Sequence, residues 1–263
     1  MEIAKLNGIN IHYKIHGHHD ETLMLISGVG CDHQIWGLII PELVKHYNVV
    51  VFDNRGVGHT TDDGQDFSIS TMAHDCYQLL NYLGINKAHI IGHSLGGRIA
   101  QQFAIAYPLL TNKLVIINSS SYASKALSMA LLNQNKIRQQ HVLSPENTIR
   151  MLLPWLFSSK FLENEVYVNG FITAVLNDKN PQSIMDNARQ LNALVKHDLR
   201  AEIGQINNDT LVISSQEDLL SPPFINIETA NSIKNSKLIT IPGGHVSLIE
   251  YPDIVAKTIL DYL

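Results

Sequence analysis

Cysteine is scarce. Cys31 and Cys76 are the only two in 263 residues, too few for a disulfide framework, and two free thiols suit a reducing, cytoplasmic compartment. No run of about 18 apolar residues occurs, so no membrane span is expected; the most apolar stretch, around Leu38-Ile39-Ile40, is cut at once by Pro41. The N-terminus, Met1-Glu2-Ile3-Ala4-Lys5, has no basic segment followed by an apolar one, so no signal peptide is expected. A basic excess is also missing. The net charge is −5, which argues against nucleic acid or an anionic membrane as the main partner. The glycine patterns that cradle nucleotides, G-x-G-x-x-G and G-x-x-x-x-G-K-[ST], do not occur. A nucleotide-binding site is therefore not expected.

What is present is enough apolar sequence for a core, 45 % hydrophobic against 16 % charged. Glu2–Leu6 and Ile9–Ile15 flank Asn7-Gly8, a hairpin signal. Short unalternating apolar runs then alternate with helical patterns: strands at Thr22–Ile26, Val49–Phe52, Ala88–Ile91 and Leu114–Ile117, helices at Ile35–Lys45, Thr71–Leu83 and Leu95–Tyr107. Strands of this kind are buried on both faces, and the alternation implies a mostly parallel, doubly wound α/β sheet. From Ser119 to Glu202 the pattern is helical only, with candidates at Ala126–Gln139, Pro145–Leu153, Glu163–Val175 and Pro181–Val195. Strands return at Thr210–Ile213 and Leu238–Ile241, and Pro252–Leu263 reads as a closing helix. The expectation is a core of residues 1–118 and 203–263 with a helical cap, 119–202, inserted after the sixth strand. The cap should lie over the C-terminal sheet edge, where ligands bind in such folds.

The chemistry concentrates in three places. Gly92-His93-Ser94-Leu95-Gly96-Gly97 follows a predicted strand and opens a predicted helix, the context of a nucleophile elbow, in which Ser94 stands on a sharp turn. A serine hydroxyl needs a base to take its proton. His245, on the glycine loop Pro242-Gly243-Gly244 after the last strand, is placed to supply it. The imidazole needs an acid to orient it; Glu217 and Asp218 both follow the Leu211–Ser214 strand, and Asp218, just before Leu219-Leu220-Ser221-Pro222, is preferred. For an oxyanion hole, one donor is the Leu95 N–H. The other comes from Ser27-Gly28-Val29-Gly30-Cys31, with Val29 chosen and Gly28 as its neighbouring alternative.

These motifs, in the order Ser94…Asp218…His245, resemble the α/β-hydrolase superfamily over nearly the whole chain. Phe52-Asp53-Asn54-Arg55-Gly56-Val57-Gly58-His59-Thr60 resembles the D-x-R-G-x-G-x-S turn of the esterase, lactonase and peroxidase-like branch, with His59-Thr60 departing from its ending. Gln190…Ala193…His197-Asp198 is similar to enol-lactonase-like members. The resemblance implies a cofactor-free serine esterase acting on a carboxylic ester, thioester or lactone through an acyl-enzyme, under a cap of four or five helices. Dehalogenases and epoxide hydrolases of this fold carry aspartate where Ser94 stands, and proline iminopeptidases usually carry tryptophan where Leu95 stands. Gly28–Asp32 with Gln34 and Trp36 resembles small-molecule receptors of the same fold, which usually lack the Arg55-Gly56 and Gly96-Gly97 seen here. A slow-turnover receptor is the alternative class.

Other residues read more plainly. His16, His18, His19 and Asp20 read as a surface turn rather than a metal cluster, and His93 as a packed residue rather than a second base. His33 reads equally as pocket wall or exposed loop; Trp155, Leu156 and Phe157 read first as cap core; Cys31 has no histidine placed for it. Residues 119–202 carry nine Lys and Arg against seven Asp and Glu, a balance of +2 in a chain of −5. That balance leaves open an acidic acyl carrier protein as partner, beside the plainer reading of a solvated helical surface.

Overall fold

The computed structural model describes residues 1–263. Eight strands form one sheet: β1 (Glu2–Leu6), β2 (Ile9–His16), β3 (Thr22–Ile26), β4 (Asn48–Phe52), β5 (Ala88–His93), β6 (Thr111–Ile117), β7 (Thr210–Ser215) and β8 (Ser236–Ile241). Their spatial order is β1-β2-β4-β3-β5-β6-β7-β8. β2 pairs antiparallel with β1 and β4, and every pairing from β4 to β8 is parallel. Asn7 and Gly8 at the hairpin both have positive φ, 50° and 77°, as a primed two-residue turn requires.

Every residue of β3, β5 and β7 is buried, because helices cover both faces of the sheet. On one face α2 (Ile69–Tyr82) and α3 (Leu95–Ala106) bring Met72, Leu79, Ile99 and Phe103 against Met24, Ile90 and Ile116. On the other, α1 (Ile40–Leu43) and α11 (Pro252–Leu260) bring Leu43, Val255 and Ile259 against Leu25, Val51 and Ile213. The expected helix over Ile35–Lys45 is instead a 3₁₀ turn, His33–Trp36, followed by the single turn of α1. Gly37 ends the first piece, and Pro41, lacking an N–H, is tolerated only at the start of the second.

Between β6 and β7 the chain forms α4 (Lys125–Gln139), α5 (Pro145–Leu156), α6 (Ser159–Leu162), α7 (Glu165–Leu176) and α8 (Ile184–Lys196). Ser124, Ser144, Ser158, Asn164 and Ser183 cap these five helices through side-chain oxygens. The insertion has a small core of its own, in which Ile149, Leu153, Phe157 and Ile172 pack together with Val246 from the loop after β8. Its two ends meet: Tyr122 and Asp198 form an antiparallel bridge. Buried Arg98 of α3 donates to the carbonyls of Tyr122 and His197 on either side of that bridge. Two further helices follow β7 and β8, α9 (Pro223–Asn231) and α10 (Ser247–Glu250). No helix is expected from the sequence at the first of these, although Pro223 suits a first helical turn.

Candidate active site

The ends of β5, β6 and β7 lie level, with His93 beside Ile117 and Ile117 beside Ile213. Three loops leaving this edge converge. Ser94 sits between β5 and α3 with φ 56° and ψ −118°, a strained conformation for a residue with a side chain. The flanking glycines make it attainable. A Cβ on Gly92 would collide with the Gly96 carbonyl, and a Cβ on Gly96 would collide with the Ile26 carbonyl. The turn is fixed by the Ser94 N–H, which donates to Ile117, and by the Ser119 hydroxyl, which donates to the Ser94 carbonyl at 2.6 Å.

His245 Nε2 lies 2.8 Å from Ser94 Oγ. On its other side, Nδ1 lies 2.8 and 3.0 Å from the two oxygens of Asp218. For the serine hydroxyl to donate to Nε2, the proton of the neutral ring must sit on Nδ1, where the buried carboxylate accepts it. Asp218 also accepts from the amides of Leu220 and Ser221, each at 2.8 Å. The preference for Asp218 over Glu217 thus has a geometric counterpart. Glu217 points elsewhere and accepts from the amide and hydroxyl of Ser159 at the start of α6, at 2.9 and 2.6 Å; these bonds hold its carboxyl below the usual range.

Two residues outside the candidate triad hold the histidine from behind. His93 Nε2 donates to the His245 carbonyl at 2.8 Å, and Asn118 Nδ2 donates to the same oxygen at 2.8 Å. Asn118, the residue after β6, has φ 48° and accepts from the Ser215 amide, so one side chain links the ends of β6 and β7 to the His245 loop. His93 is packed, as expected, and burial pushes its pKa down to about 3, so it stays neutral. The available signal for Asn118 was an asparagine, a residue type that tolerates positive φ, directly after an apolar strand.

The loop after β3 runs alongside Ser94: a Cβ on Gly28 would lie 3.2 Å from Ser94 Cβ. The amides of Val29 and Leu95 have no acceptor within the protein, and neither has that of Gly28. The next amide, Gly30, donates to Gln190 Oε1 at 3.0 Å, while Gln190 Nε2 donates to the Arg55 carbonyl. The buried glutamine of α8 therefore clamps the Gly28–Cys31 loop and the Asn54–Gly58 turn together. Cys31 is half-buried, and its withdrawal from water raises its pKa to about 12, so it is a thiol rather than a nucleophilic thiolate.

Above these groups lies a cavity of about 360 Å³. Its floor includes Gly28, Val29, Ser94 and His245, and its walls come from α4, α5, α7 and α8. Trp155 and Leu156 line it, whereas Phe157 is core, stacked on Phe161 at 3.9 Å between centroids. His33 does not reach it. Its ring bonds Asp53 at 2.7 Å, which raises the His33 pKa and lowers that of Asp53. Asp32, His33 and Asp53 come together, but each carboxylate already accepts hydrogen bonds from this loop. The His18–Asp20 turn is exposed, and no helix is long and apolar enough to cross a membrane.

The α/β hydrolase fold family matches residues 21–252. The proposed carbamate hydrolase RutD of Agrobacterium fabrum is 28 % identical over 264 residues, covering 96 % of this chain and 98 % of that protein. Among solved structures, the enol-lactonase from Burkholderia xenovorans superposes with a TM-score of 0.89 at 24 % identity, covering 99 % of each chain. A thermophilic esterase from Thermogutta terrifontis superposes with a TM-score of 0.84 at 23 % identity, covering 98 % of this chain and 94 % of that one. The eight-stranded sheet, the serine on its strand-to-helix turn and a family match over most of the length agree: the chain belongs to the α/β-hydrolase fold family.

Proposed function

We propose that the protein is a serine hydrolase that cleaves a carboxylic ester, thioester or lactone through an acyl-enzyme on Ser94. The reading rests on the unbroken Ser94 Oγ–His245–Asp218 chain, each link 2.8 Å, at the floor of the cavity. Ser94 Oγ attacks the carbonyl carbon while His245 Nε2 takes its proton. Asp218 keeps the ring oriented and stabilises its cation. The negative oxygen of the tetrahedral intermediate is received by the Val29 and Leu95 amides, which are free for it. His245 returns the proton to the departing alkoxide, thiolate or, in a lactone, the ring oxygen. Water then repeats the sequence on the acyl-serine, its proton passing through His245 to Ser94 as the acid leaves. In the same reading, residues 119–202 are a cap that covers the site and selects the substrate, and the protein works in the cytoplasm.

Labelling with a fluorophosphonate, followed by peptide mapping, tests the mechanism. Ser94 should carry the probe, and Ser94→Ala should lose it together with turnover of p-nitrophenyl esters. Turnover retained in Ser94→Ala removes the reading. A carbamate is the second substrate class, favoured by the 28 % identity to the proposed carbamate hydrolase; comparing kcat/KM on matched esters and carbamates separates the two. Rapid multiple turnover separates either from a slow receptor, and falling kcat/KM with salt on a carrier-bound ester is the sign of an acidic carrier protein as partner.

A further inference from the structure

The cap carries four arginines. Arg150 pairs with Glu146, Arg189 with Asp62 and Asp186, and Arg200 with Asp198. Arg138 alone has no carboxylate within 4.0 Å, although it is more than half withdrawn from water and stands in the cavity wall. It lies on the stripe of α4, with Leu127, Leu131 and Asn135, that faces the cavity. A guanidinium offers five N–H donors. One nitrogen of Arg138 is 3.2 Å from Asn187 Oδ1, an oxygen already accepting from Asn135. The others have no protein acceptor and are not sealed from solvent. Burial without a partner lowers the Arg138 pKa, with no charged neighbour contributing.

Arg98, the other cavity arginine, is different. Both of its terminal nitrogens are committed to Ser120, Tyr122 and His197. Asp178 also lines the cavity, but it is exposed, lies beyond 4.0 Å of Arg138 and accepts from the Asn180 amide. The surroundings of Arg138 are polar, since Asn187 donates to Gln182, which donates to the Gly56 carbonyl. Much of the remaining wall is Leu, Ile, Val, Trp and Phe.

We infer that Arg138 is an anion subsite, and that the substrate is an ester or lactone bearing a carboxylate remote from the scissile carbonyl. A guanidinium held half-buried has given up part of its hydration, so an anion that completes its open donors is favoured, and a carboxylate matches its fork. Asn187, hydrogen-bonded to Arg138, borders Gly30 of the loop beside Ser94: a Cβ on Gly30 would lie 3.5 Å from Asn187 Nδ2. The anion therefore binds in the same chamber as the reacting carbonyl. The inference deepens the esterase reading and rests on it for the chemistry, not for the binding.

Two measurements test it. The first is the ratio of kcat/KM on mono-p-nitrophenyl adipate to that on p-nitrophenyl hexanoate, equal chains ending in carboxylate or methyl. The native protein should favour the adipate. Arg138→Gln should lower the ratio about 10- to 100-fold, the range of a charge-assisted hydrogen bond, through KM on the adipate; Arg138→Lys should restore part. The second is calorimetric titration of Ser94→Ala with the adipate monoester, in which binding should vanish when Arg138→Gln is added. No native preference, an unchanged ratio, or equal loss on both esters overturns the inference and leaves Arg138 a bridge between helices. Binding that depends on Arg138 without any ester turnover sustains it and overturns the esterase reading instead.

Discussion

His93 donates a hydrogen bond from Nε2 to the carbonyl oxygen of His245 at 2.8 Å, with the two rings 5.1 Å apart. The residue next to the candidate nucleophile thus positions the backbone of the candidate base, across 152 positions of chain.

Removing that support should act on rate rather than binding. His93→Ala and Asn118→Ala should each lower kcat, by up to about 10²-fold for a displacement near 1 Å, with KM little changed. Asn118→Asp keeps the size but loses the donor, so it should follow alanine rather than the native protein. Steady-state kinetics on a neutral ester checks this; an effect confined to KM would count against positioning.

Asp218 and Glu217 are adjacent and should behave oppositely. Asp218→Asn should lower kcat by about 10⁴-fold, as loss of the orienting acid does in other triads. Glu217→Gln, which weakens only the two bonds from Ser159, should leave kcat close to native. Equal loss in the two variants would mean that the acid has been misassigned.

Glycine substitutions should separate close approach from backbone sign. At Gly96 a Cβ meets the carbonyls of Ile26, the last residue of β3, and of Ser27 just after it, backbone anchored to the sheet that cannot yield. Gly96→Ala should cost about 3 kcal/mol or more. Gly84 has φ +69° with open space around it, so Gly84→Ala should cost only about 1–2 kcal/mol. Urea denaturation of the two variants gives the comparison.

Stability should fall on mild acidification. Burial pushes His93 down to about 3, and burial together with the Arg98 charge pushes His197 down to about 4. In the unfolded chain both take protons near pH 6.5, whereas the folded protein leaves them neutral. Their contribution is complete above pH 6.5 and is lost progressively as pH drops toward 4, at about 1 kcal/mol per pH unit for each ring. His33 opposes the trend, because Asp53 raises its pKa and its contribution is full below pH 6.5. Urea midpoints from pH 7 to 5 should drop, and His197→Asn should flatten the slope; an unchanged slope would contradict the account.

What could be read in the sequence was whatever is encoded by neighbours. The Gly92–Gly97 elbow sits within six residues, and its strand and helix are the adjoining ones. The Asn7-Gly8 hairpin and the two-sided burial of β3 and β5 are equally local. Asp218 against Glu217 was harder, since the two differ by one position and diverge only where Ser159 and His245 meet them. Asn118, Gln190 and Arg138 gain their meaning from contacts made across the fold: His245, Gly30, and the absence of any carboxylate. No periodicity records such contacts. The split of Ile35–Lys45 is signalled by Gly37 and Pro41, which interrupt an otherwise helical apolar pattern.

Ser94 and His245 meet across 151 intervening steps of chain, and the whole helical insertion lies within that loop. Closing so long a loop is entropically slow. The elbow can form early from β5 and α3, but it stays chemically idle until β7 and β8 have docked. In refolding, enzymatic competence should therefore arrive last, after helical signal and compactness have returned. A chain released before its final twenty residues would keep the serine and lack the partner that makes it reactive.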